Sequence, residues 1–264
     1  MTNNQQSKTA LITGSYGGLG TCFARLHASL GGNLVLVGRN EQKLLAQAKQ
    51  IKEQYKVGVH TIVADLSLPD APQAIYDTCQ QQRLRVDYLI NNAGFGGRGD
   101  FARERSMEQD MQMIAVNIEA PTRLCKMFLK DFVARGSGKV LNVSSTAASM
   151  PGPLQAVYYA TKAYLTSWSN ALWRELQGTG VTVTALMPGP MQTGFADTAD
   201  LQGTKLFATA VKPDKTAKDG YEAMLRGEVN IVSGMPGWQK AFVAMTPMMP
   251  TKTILNFVFD QQSK

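Results

Sequence analysis

Short apolar runs alternate with longer segments of helical periodicity over the first two-thirds of the chain. The runs are rich in Val, Ile and Leu and are bounded by Gly, Asp or Asn, which is typical of strands. They predict strands at 9–13, 33–37, 59–64, 88–90, 139–143, 181–186 and 230–232. The segments between them predict helices near 18–30, 41–55, 69–82, 106–135, 155–177 and 213–226. Because the runs are almost continuously apolar, both strand faces are expected to be buried, as in an α/β fold with a doubly wound, seven-stranded parallel sheet and helices on both faces.

One domain is expected to span 1–264, because no repeat, low-complexity tract or Pro/Ser-rich linker divides the sequence. Within it, the glycine-containing, partly apolar region 191–227 is expected to form a substrate lid. The Met-rich region 235–264 is a C-terminal helical and apolar extension, interrupted by Lys252 and two prolines. These interruptions argue against a membrane span; peripheral membrane contact stays open but is not expected.

Composition excludes several other classes of protein. The hydrophobic fraction of 44% supports a sizeable core. The net charge of +7 comes from scattered residues rather than a basic run, so nucleic acid is not an expected partner. Three widely spaced cysteines and two histidines predict neither a disulfide framework nor a metal site. The polar residues 1–8 lack the apolar segment of a signal peptide, so a cytoplasmic protein is expected.

A glycine-rich turn follows the first strand and opens the first helix. Glycines permit positive φ and a close approach of the backbone to a ligand, while free N–H groups and the helix dipole attract phosphate. The turn is therefore a candidate site for a dinucleotide pyrophosphate, with a tight βα turn as the alternative. The candidate residues are Gly14, Ser15, Tyr16, Gly18, Leu19 and Gly20.

The end of the second strand carries the signal for cofactor choice. An acidic residue there would bond the adenosine ribose and favour NAD(H). This chain has Gly38 followed by Arg39, a planar cation suited to a 2′-phosphate, so NADP(H) is preferred and NAD(H) is the alternative. A solvated Arg39 at a helix start is the structural alternative. Asp65 and Leu66, after the third strand, are candidates for the adenine, although Asp65 could equally cap the turn that follows.

A Tyr-x-x-x-Lys pattern places Tyr158 and Lys162 on one face of a predicted helix. A nearby ammonium lowers a tyrosine pKa from about 10 towards the range useful for general acid–base catalysis. The alternative is an exposed helix pair. The neighbouring Tyr159 has no lysine four residues later. Ser145, thirteen residues before Tyr158, can donate a hydrogen bond to a carbonyl oxygen, and Ser144 is its closest rival.

With these motifs in this order, the chain resembles the single-domain branch of the short-chain dehydrogenase/reductase family from residue 8 to residue 234. The turn at 13–20 matches the family's T-G-x-x-x-G-x-G motif, 91–94 matches N-N-A-G, and 188–193 matches P-G-x-x-x-T. The resemblance implies a Rossmann-type fold and a catalytic tetrad of Asn117, Ser145, Tyr158 and Lys162. It also implies cofactor contacts by Tyr158, Lys162, Asn92, Ala93, Gly94, Pro188, Gly189 and Thr193.

The resemblance further implies the reaction. We expect an NADP(H)-dependent oxidoreductase that moves a hydride between the nicotinamide and a carbonyl or secondary alcohol, with Tyr158 as general acid/base. Lys162 would hold the nicotinamide ribose, and Asn117 would take part in a water-mediated proton relay. Few charges flank the expected pocket, which favours an apolar ketoacyl-, steroid- or ketone-like substrate.

Two other functions remain open: an NAD-dependent alcohol dehydrogenase of the same family, and a non-catalytic NADP-binding regulatory protein. A homodimer or homotetramer is expected. Arg98, just after N-N-A-G, is expected to be a solvated loop residue or an anion-tolerant rim.

Overall fold

The computed structural model describes residues 8–208 and 210–263, and its centre is one sheet of parallel strands in the order β3-β2-β1-β4-β5-β6-β7. The strands are β1 (Thr9–Thr13), β2 (Asn33–Gly38), β3 (Val59–Val63), β4 (Tyr88–Asn91), β5 (Gly138–Val143), β6 (Val181–Pro188) and β7 (Asn230–Ser233). The chain winds outward from β1 in one direction and from β4 in the other. The predicted doubly wound parallel fold is confirmed.

Ten α-helices connect and extend the described strands. They are α1 (Gly18–Ser29), α2 (Glu41–Tyr55), α3 (Ala71–Gln81), α4 (Met107–Ile114), α5 (Ala120–Ala134), α6 (Ala156–Glu175), α7 (Phe195–Thr198), α8 (Pro213–Arg226), α9 (Gly237–Met245) and α10 (Thr251–Gln262).

The helix predicted at 106–135 is not continuous, because a π-helical turn, Ala115–Glu119, separates α4 from α5. There the Ala120 N–H donates to the carbonyl oxygen of Ala115, five residues back. Pro121 gives the physical reason. It has no N–H to donate to the carbonyl of Asn117, and its ring would clash with that carbonyl in a regular α-helix.

Alternate side chains of the strands fill two apolar layers, one on each face of the sheet. Leu34 and Leu36 of β2 belong to the layer that α1, α2 and α8 cover. Val35 and Val37 of the same strand belong to the layer that α3 and α5 cover. Both faces are thus buried, which explains why the strands read as almost continuous apolar runs.

Helix α8 belongs to the core rather than to a lid. The sequence places it inside the expected lid region 191–227, but its Tyr221 and Met224 are buried with α1 and the sheet. The prediction of a substrate lid is therefore restricted to 191–211. It holds α7, the short 3₁₀ turn Lys205–Phe207 and a bridge between Met191 and Val211.

Acid is expected to destabilise this fold through His27 of α1. The ring is fully buried, with Nδ1 2.6 Å from the Tyr221 hydroxyl and Nε2 3.1 Å from the carbonyl oxygen of Lys8. Burial lowers the pKa of His27 from 6.5 to about 4. The folded state therefore binds this proton less readily than the unfolded state, and the free energy of unfolding falls as pH drops below about 6.5 towards about 4. The loss over that window is about 3 kcal/mol.

Urea unfolding from neutral pH to about pH 4 measures this loss. A His27→Gln variant should lose this part of the pH dependence, whereas His60→Gln, at an exposed position on β3, should keep it. An unchanged slope in His27→Gln would contradict the assignment.

Candidate active site

The carboxyl ends of β1 and β4 meet at the point where the strand order reverses, the usual ligand crevice of an open α/β sheet. Asn92 joins them: its Nδ2 donates to the carbonyl oxygens of Thr13 (2.9 Å) and Gly14 (3.0 Å). In return, the Thr13 hydroxyl oxygen accepts the backbone N–H groups of Asn92 (3.1 Å) and Ala93 (3.0 Å). These hydrogen bonds hold the glycine turn and the N-N-A-G segment together on one side of the crevice.

The glycines of the turn allow neighbouring segments of the chain to pack closely against it. Gly14 has φ +61°, and a Cβ at Gly18 would lie 2.8 Å from the Cβ of Thr193. At Gly20 a Cβ would collide with the carbonyl oxygen of Gly14. Within the described chain, no side chain caps the first turn of α1 and no acidic residue lies in it. Its exposed N–H groups and positive dipole suit the pyrophosphate of a dinucleotide, so the residues present fit such a cofactor.

Two of the predicted cofactor residues point into the protein. The Ser15 hydroxyl donates to Gln47 Oε1 (2.9 Å), and its N–H donates to the carbonyl oxygen of Val37. Gln47 Nε2 donates back to the carbonyl oxygen of Ser15 (2.7 Å). Leu19 packs its side chain in the core. Ser15 therefore anchors the turn to α2 through Gln47, a partner that the sequence pattern did not single out.

Tyr16 shapes the end of β2, where the adenosine half of a dinucleotide is expected. A Cβ at Gly38 would fall on the Tyr16 ring. The Tyr16 hydroxyl oxygen accepts the N–H of Asn40 (3.1 Å), and the ammonium of Lys43 lies 5.9 Å from the ring centroid. Arg39, which lies between Gly38 and Asn40 in the chain, is exposed. Two cations, Arg39 and Lys43, thus lie near the end of β2. A side chain at position 38 would have to displace the Tyr16 ring.

Asp65 stabilises the turn that follows β3, which is one of its two predicted roles. Its Oδ1 accepts the N–H (3.0 Å) and the hydroxyl (2.8 Å) of Ser67, and these bonds lower its pKa. The charge of Arg39 contributes to the same shift. Leu66 packs its side chain in the core. Contact of Asp65 and Leu66 with an adenine remains a prediction.

Ser145, Tyr158 and Lys162 come together at the carboxyl end of β5. The Ser145 hydroxyl lies close enough to the Tyr158 phenol to lower its pKa. The Lys162 ammonium donates to the carbonyl oxygen of Val143 (2.8 Å) and lies 5.7 Å from the centroid of the Tyr158 ring. A Cβ at Gly94 would lie 3.3 Å from that ammonium nitrogen, so the N-N-A-G segment runs directly beside it.

Burial dominates the proton affinities of this cluster. It raises the pKa of Tyr158 to about 12, against a smaller opposing effect of the hydrogen bond with Ser145. It lowers the pKa of Lys162 to about 8. The direction for Tyr158 is opposite to the one expected from an adjacent ammonium, because burial outweighs the opposing effects; the Lys162 ammonium itself donates to the carbonyl oxygen of Val143. At neutral pH the phenol therefore keeps its proton.

The two rival residues are directed elsewhere. The Ser144 hydroxyl donates to the carbonyl oxygen of Lys162 (2.9 Å) and lies 2.6 Å from the Thr166 hydroxyl, on the side facing α6. The Tyr159 hydroxyl oxygen accepts a hydrogen bond from Gln262 Nε2 (3.0 Å) in the C-terminal helix. The tertiary structure thus separates Ser145 from Ser144 and Tyr158 from Tyr159.

Asn117 lies in the π-helical turn and holds the loop after β4. Its Nδ2 donates to the carbonyl oxygen of Phe95 (2.9 Å) and to the Thr161 hydroxyl (3.1 Å), and its Oδ1 accepts the N–H of Phe95 (3.1 Å). A Cβ at Gly94 would lie 3.1 Å from Oδ1. The side chain therefore positions the segment beside Lys162, and its predicted place in a proton relay remains a prediction.

The segment after β6 closes over both halves of the site. The N–H of Gly189 donates to the carbonyl oxygen of Ser233, and this bond joins the end of β6 to the end of β7. Thr193 packs on Gly18 of the cofactor turn. Phe195 then lies over Tyr158, with 5.4 Å between the ring centroids.

A buried polar cluster near Tyr158 was not predicted from the sequence. Gln155 Nε2 donates to Gln262 Oε1 (2.6 Å), and Arg98 Nε donates to the Gln262 carbonyl oxygen (2.8 Å). Gln155 Oε1, close to Gly96, is buried and has no hydrogen-bond partner among the described residues. The expectation that Arg98 is solvated or forms an anion rim is therefore wrong, because it fastens the C-terminal helix. Contacts between residues this distant in sequence leave no local signal.

Comparison with known proteins gives a consistent result. A model of the short chain dehydrogenase family matches residues 8–202. The very-long-chain 3-oxoacyl-CoA reductase of Mus musculus is 30% identical over 242 residues, which cover 87% of this chain and 76% of that protein. Hydroxysteroid dehydrogenase-like protein 1 of Gallus gallus is 33% identical over 200 residues, covering 75% of this chain. The chain spans only 60% of the length of that relative, and 61% of a short chain dehydrogenase of Pseudocercospora fijiensis.

Solved structures share the whole architecture. A short-chain dehydrogenase from Sphingobium yanoikuyae in complex with NADPH has a TM-score of 0.82 at 28% identity, covering 92% of this chain and 94% of that one. A short chain dehydrogenase/reductase from Burkholderia phymatum in complex with NAD also has a TM-score of 0.82, at 24% identity and with 93% and 94% coverage, and shares the fold.

Proposed function

Since the chain belongs to the short-chain dehydrogenase family, we propose that it is an oxidoreductase that uses NADPH to reduce the carbonyl group of a fairly apolar substrate. The observation that carries the proposal is the cluster of half-buried Ser145 with buried Tyr158 and Lys162 beside Gly94, at the same crevice as the glycine turn. Tyr158 holds its proton at neutral pH, which is the state that proton donation to a carbonyl oxygen requires.

Each side chain of the site has its own role in the proposed reduction. NADPH, when bound, supplies the hydride. The hydroxyls of Ser145 and Tyr158 donate hydrogen bonds to the substrate carbonyl oxygen, and Tyr158 transfers its proton to that oxygen as negative charge develops there. Lys162, protonated below about pH 8, stabilises the phenolate that Tyr158 becomes and is the residue that would hold the cofactor's ribose hydroxyls. Asn117 keeps the loop after Gly94 in position.

The surroundings of Tyr158 favour an apolar substrate. Ile254 and Val258 of α10 are buried with Tyr158, and Phe95 and Phe195 pack against the same cluster. These side chains offer dispersion contacts to a ketoacyl, steroid or other aliphatic or aromatic ketone. An assay that follows NADPH absorbance with such ketones tests the proposal. Turnover of at least one of them is expected, and NADPH binding with no turnover across the panel would favour a regulatory protein instead.

NADP(H) is the proposed cofactor because of the end of β2. Tyr16 occupies the space that an acidic side chain at Gly38 would need, while Arg39 and Lys43 supply positive charge for a 2′-phosphate.

An Arg39→Asp substitution is expected to weaken NADPH binding roughly 100-fold, because it removes charge-assisted hydrogen bonds to the 2′-phosphate and adds a repulsive charge. Binding of NADH should change little. Titration of both cofactors by fluorescence measures the effect. Arg174→Asp, which makes the same charge change near the far end of α6, should leave both affinities unchanged. Equal NADPH affinity in Arg39→Asp and wild type would refute the assignment.

The assembly remains a proposal as well. The family resemblance implies a homodimer or homotetramer, which sedimentation velocity would measure.

A further inference from the structure

Gln155, the residue just before α6, ends a chain of buried side-chain hydrogen bonds that begins at the C-terminal helix. Gln155 and Gln262 are 2% and 0% exposed. Gln262 Nε2 donates to the Tyr159 hydroxyl oxygen (3.0 Å), and Gln262 Oε1 accepts from Gln155 Nε2 (2.6 Å). These two bonds determine which end of the Gln155 amide is left over. That end is Oε1, which is buried and has no hydrogen-bond partner within residues 8–208 and 210–263.

The unpartnered oxygen lies beside the ring of Tyr158. A Cβ at Gly96 would lie 3.2 Å from Gln155 Oε1, 3.3 Å from Tyr158 Cδ2 and 2.8 Å from Phe195 Cζ. The amide oxygen, the edge of the Tyr158 ring and the tip of the Phe195 ring therefore converge on one point, and Gly96 has no side chain to separate them. The oxygen thus belongs to the surroundings of the proposed proton donor.

A buried amide oxygen without a donor is costly, because it has given up its hydrogen bonds to water and gained none in return. Folded proteins pair the large majority of such atoms, so an exception needs a physical explanation. A trapped water molecule would need several polar partners, whereas the groups that converge with Gln155 Oε1 at Gly96 are two aromatic rings. A donor that arrives with a ligand supplies the missing bond without this requirement.

The groups around this oxygen differ in how firmly they are held. Gln155 is anchored at the start of a 20-residue helix: its N–H donates to the carbonyl oxygen of Gly152 (3.1 Å), and its own carbonyl oxygen accepts the N–H of Tyr159 (3.1 Å). Phe195 is only half-buried and belongs to α7, which has four residues. The residue before it, Gly194, is exposed and has open space where a Cβ would lie. Phe195 is therefore the group that can move aside, while Gln155 stays in place.

We propose that Gln155 Oε1 binds the substrate and selects carbonyl compounds that carry a hydroxyl or N–H group close to the reacting carbonyl. The substrate displaces the ring of Phe195 from Gly96, its carbonyl oxygen lies against Ser145 and Tyr158, and its donor group bonds Oε1. Because an amide oxygen accepts but cannot donate, an ether in the same place would leave it unpaired. This inference rests on the proposed carbonyl reduction and narrows its apolar substrates to those with one donor group near the carbonyl.

Matched pairs of ketones test this selection. α-Hydroxyacetophenone and β-hydroxypropiophenone carry a hydroxyl near the carbonyl, and their methyl ethers keep the oxygen atom but cannot donate. For at least one pair, the ratio of kcat/KM for the hydroxyketone to that for its ether is expected to be roughly 10- to 100-fold higher in wild type than in Gln155→Met, which lacks the acceptor. A merely structural defect would lower both members of a pair and leave their ratio unchanged. Thr182→Val, which removes another unpartnered buried oxygen on β6, should keep the wild-type ratio.

Binding measurements separate this inference from the proposed reaction. Tyr158→Phe loaded with NADPH should bind the hydroxyketone of that pair more tightly than its ether by calorimetry, and adding Gln155→Met should remove the difference. If wild type reduces no ketone but this difference is present, the proposed reaction fails and the role of Gln155 stands. Equal ratios in wild type and Gln155→Met, tighter binding of the ethers, or no binding of any of the four ketones would overturn the role of Gln155, even if other ketones are reduced. Unchanged NADPH affinity and thermal unfolding verify that the Gln155→Met variant is folded.

Discussion

A Tyr158→Phe variant is expected to reduce turnover of any accepted ketone by roughly 10²- to 10⁴-fold, the usual contribution of a general acid. The ring stays in place against Phe195, and the substitution removes only the hydroxyl group that gives up the proton. The dissociation constant for NADPH should stay within a small factor of the wild-type value, because the glycine turn, Arg39 and Lys162 are unchanged.

Tyr159→Phe is the matched control for this experiment. Tyr159 is equally buried and neighbours Tyr158 in the chain, but its hydroxyl contacts Gln262 instead of the site. Its variant is expected to turn over ketones at close to the wild-type rate. If Tyr159→Phe lost as much turnover as Tyr158→Phe, or if NADPH affinity fell in proportion to turnover, Tyr158 would not be the proton donor.

A Lys162→Met variant is expected to lose turnover on the order of 10³-fold, because the cation that stabilises the phenolate at the end of proton transfer is then missing. The loss should appear in kcat and, through the ribose contact, also as weaker NADPH binding. This double effect distinguishes Lys162 from Tyr158, whose removal affects kcat alone.

The pH dependence of kcat/KM checks the same residue. Burial lowers the pKa of Lys162 to about 8, so the ammonium is present below that pH and is lost above it. Wild-type kcat/KM for reduction should therefore fall as pH rises through about 8, since kcat/KM reports groups of the free enzyme. Lys162→Met should lack this fall.

Lys139→Met provides the matched control for the pH profile. Lys139 is also partly buried, and burial lowers its pKa, but it lies at the start of β5, away from the site. The Lys139→Met profile should follow the wild type. A profile in which the fall near pH 8 persisted in Lys162→Met would assign it to another group.

The motifs were readable in the sequence because their chemistry depends on spacing along one element. Tyr158 and Lys162 are one helical turn apart, and the glycines of 13–20 lie within a single βα turn. The break in the helix predicted at 106–135, just before α5, also has a local cause. Pro121 cannot donate to the carbonyl of Asn117, so an interruption of the helix just before it could have been predicted from the proline alone.

Residues that act through distant partners left no such signal. Ser15 looked like a phosphate contact, yet it is tied to Gln47, and Arg98 looked solvated, yet it holds the last helix through Gln262. The lid boundary at 227 was also too generous, because the helical periodicity of α8 shows an apolar face without showing what that face covers.

Local periodicity and glycine placement were thus enough to predict the parallel sheet and the cofactor turn, since each depends on neighbours within a few residues; the family was predicted from the order of several short motifs along the chain. The choice of Ser145 over Ser144, the raised pKa of Tyr158 and the burial of Gln155 Oε1 beside Tyr158 all required the folded chain. Each depends on which atoms remain in contact with water after packing. Burial and desolvation are properties of contacts between residues far apart in the sequence, and no pattern along the chain contains them.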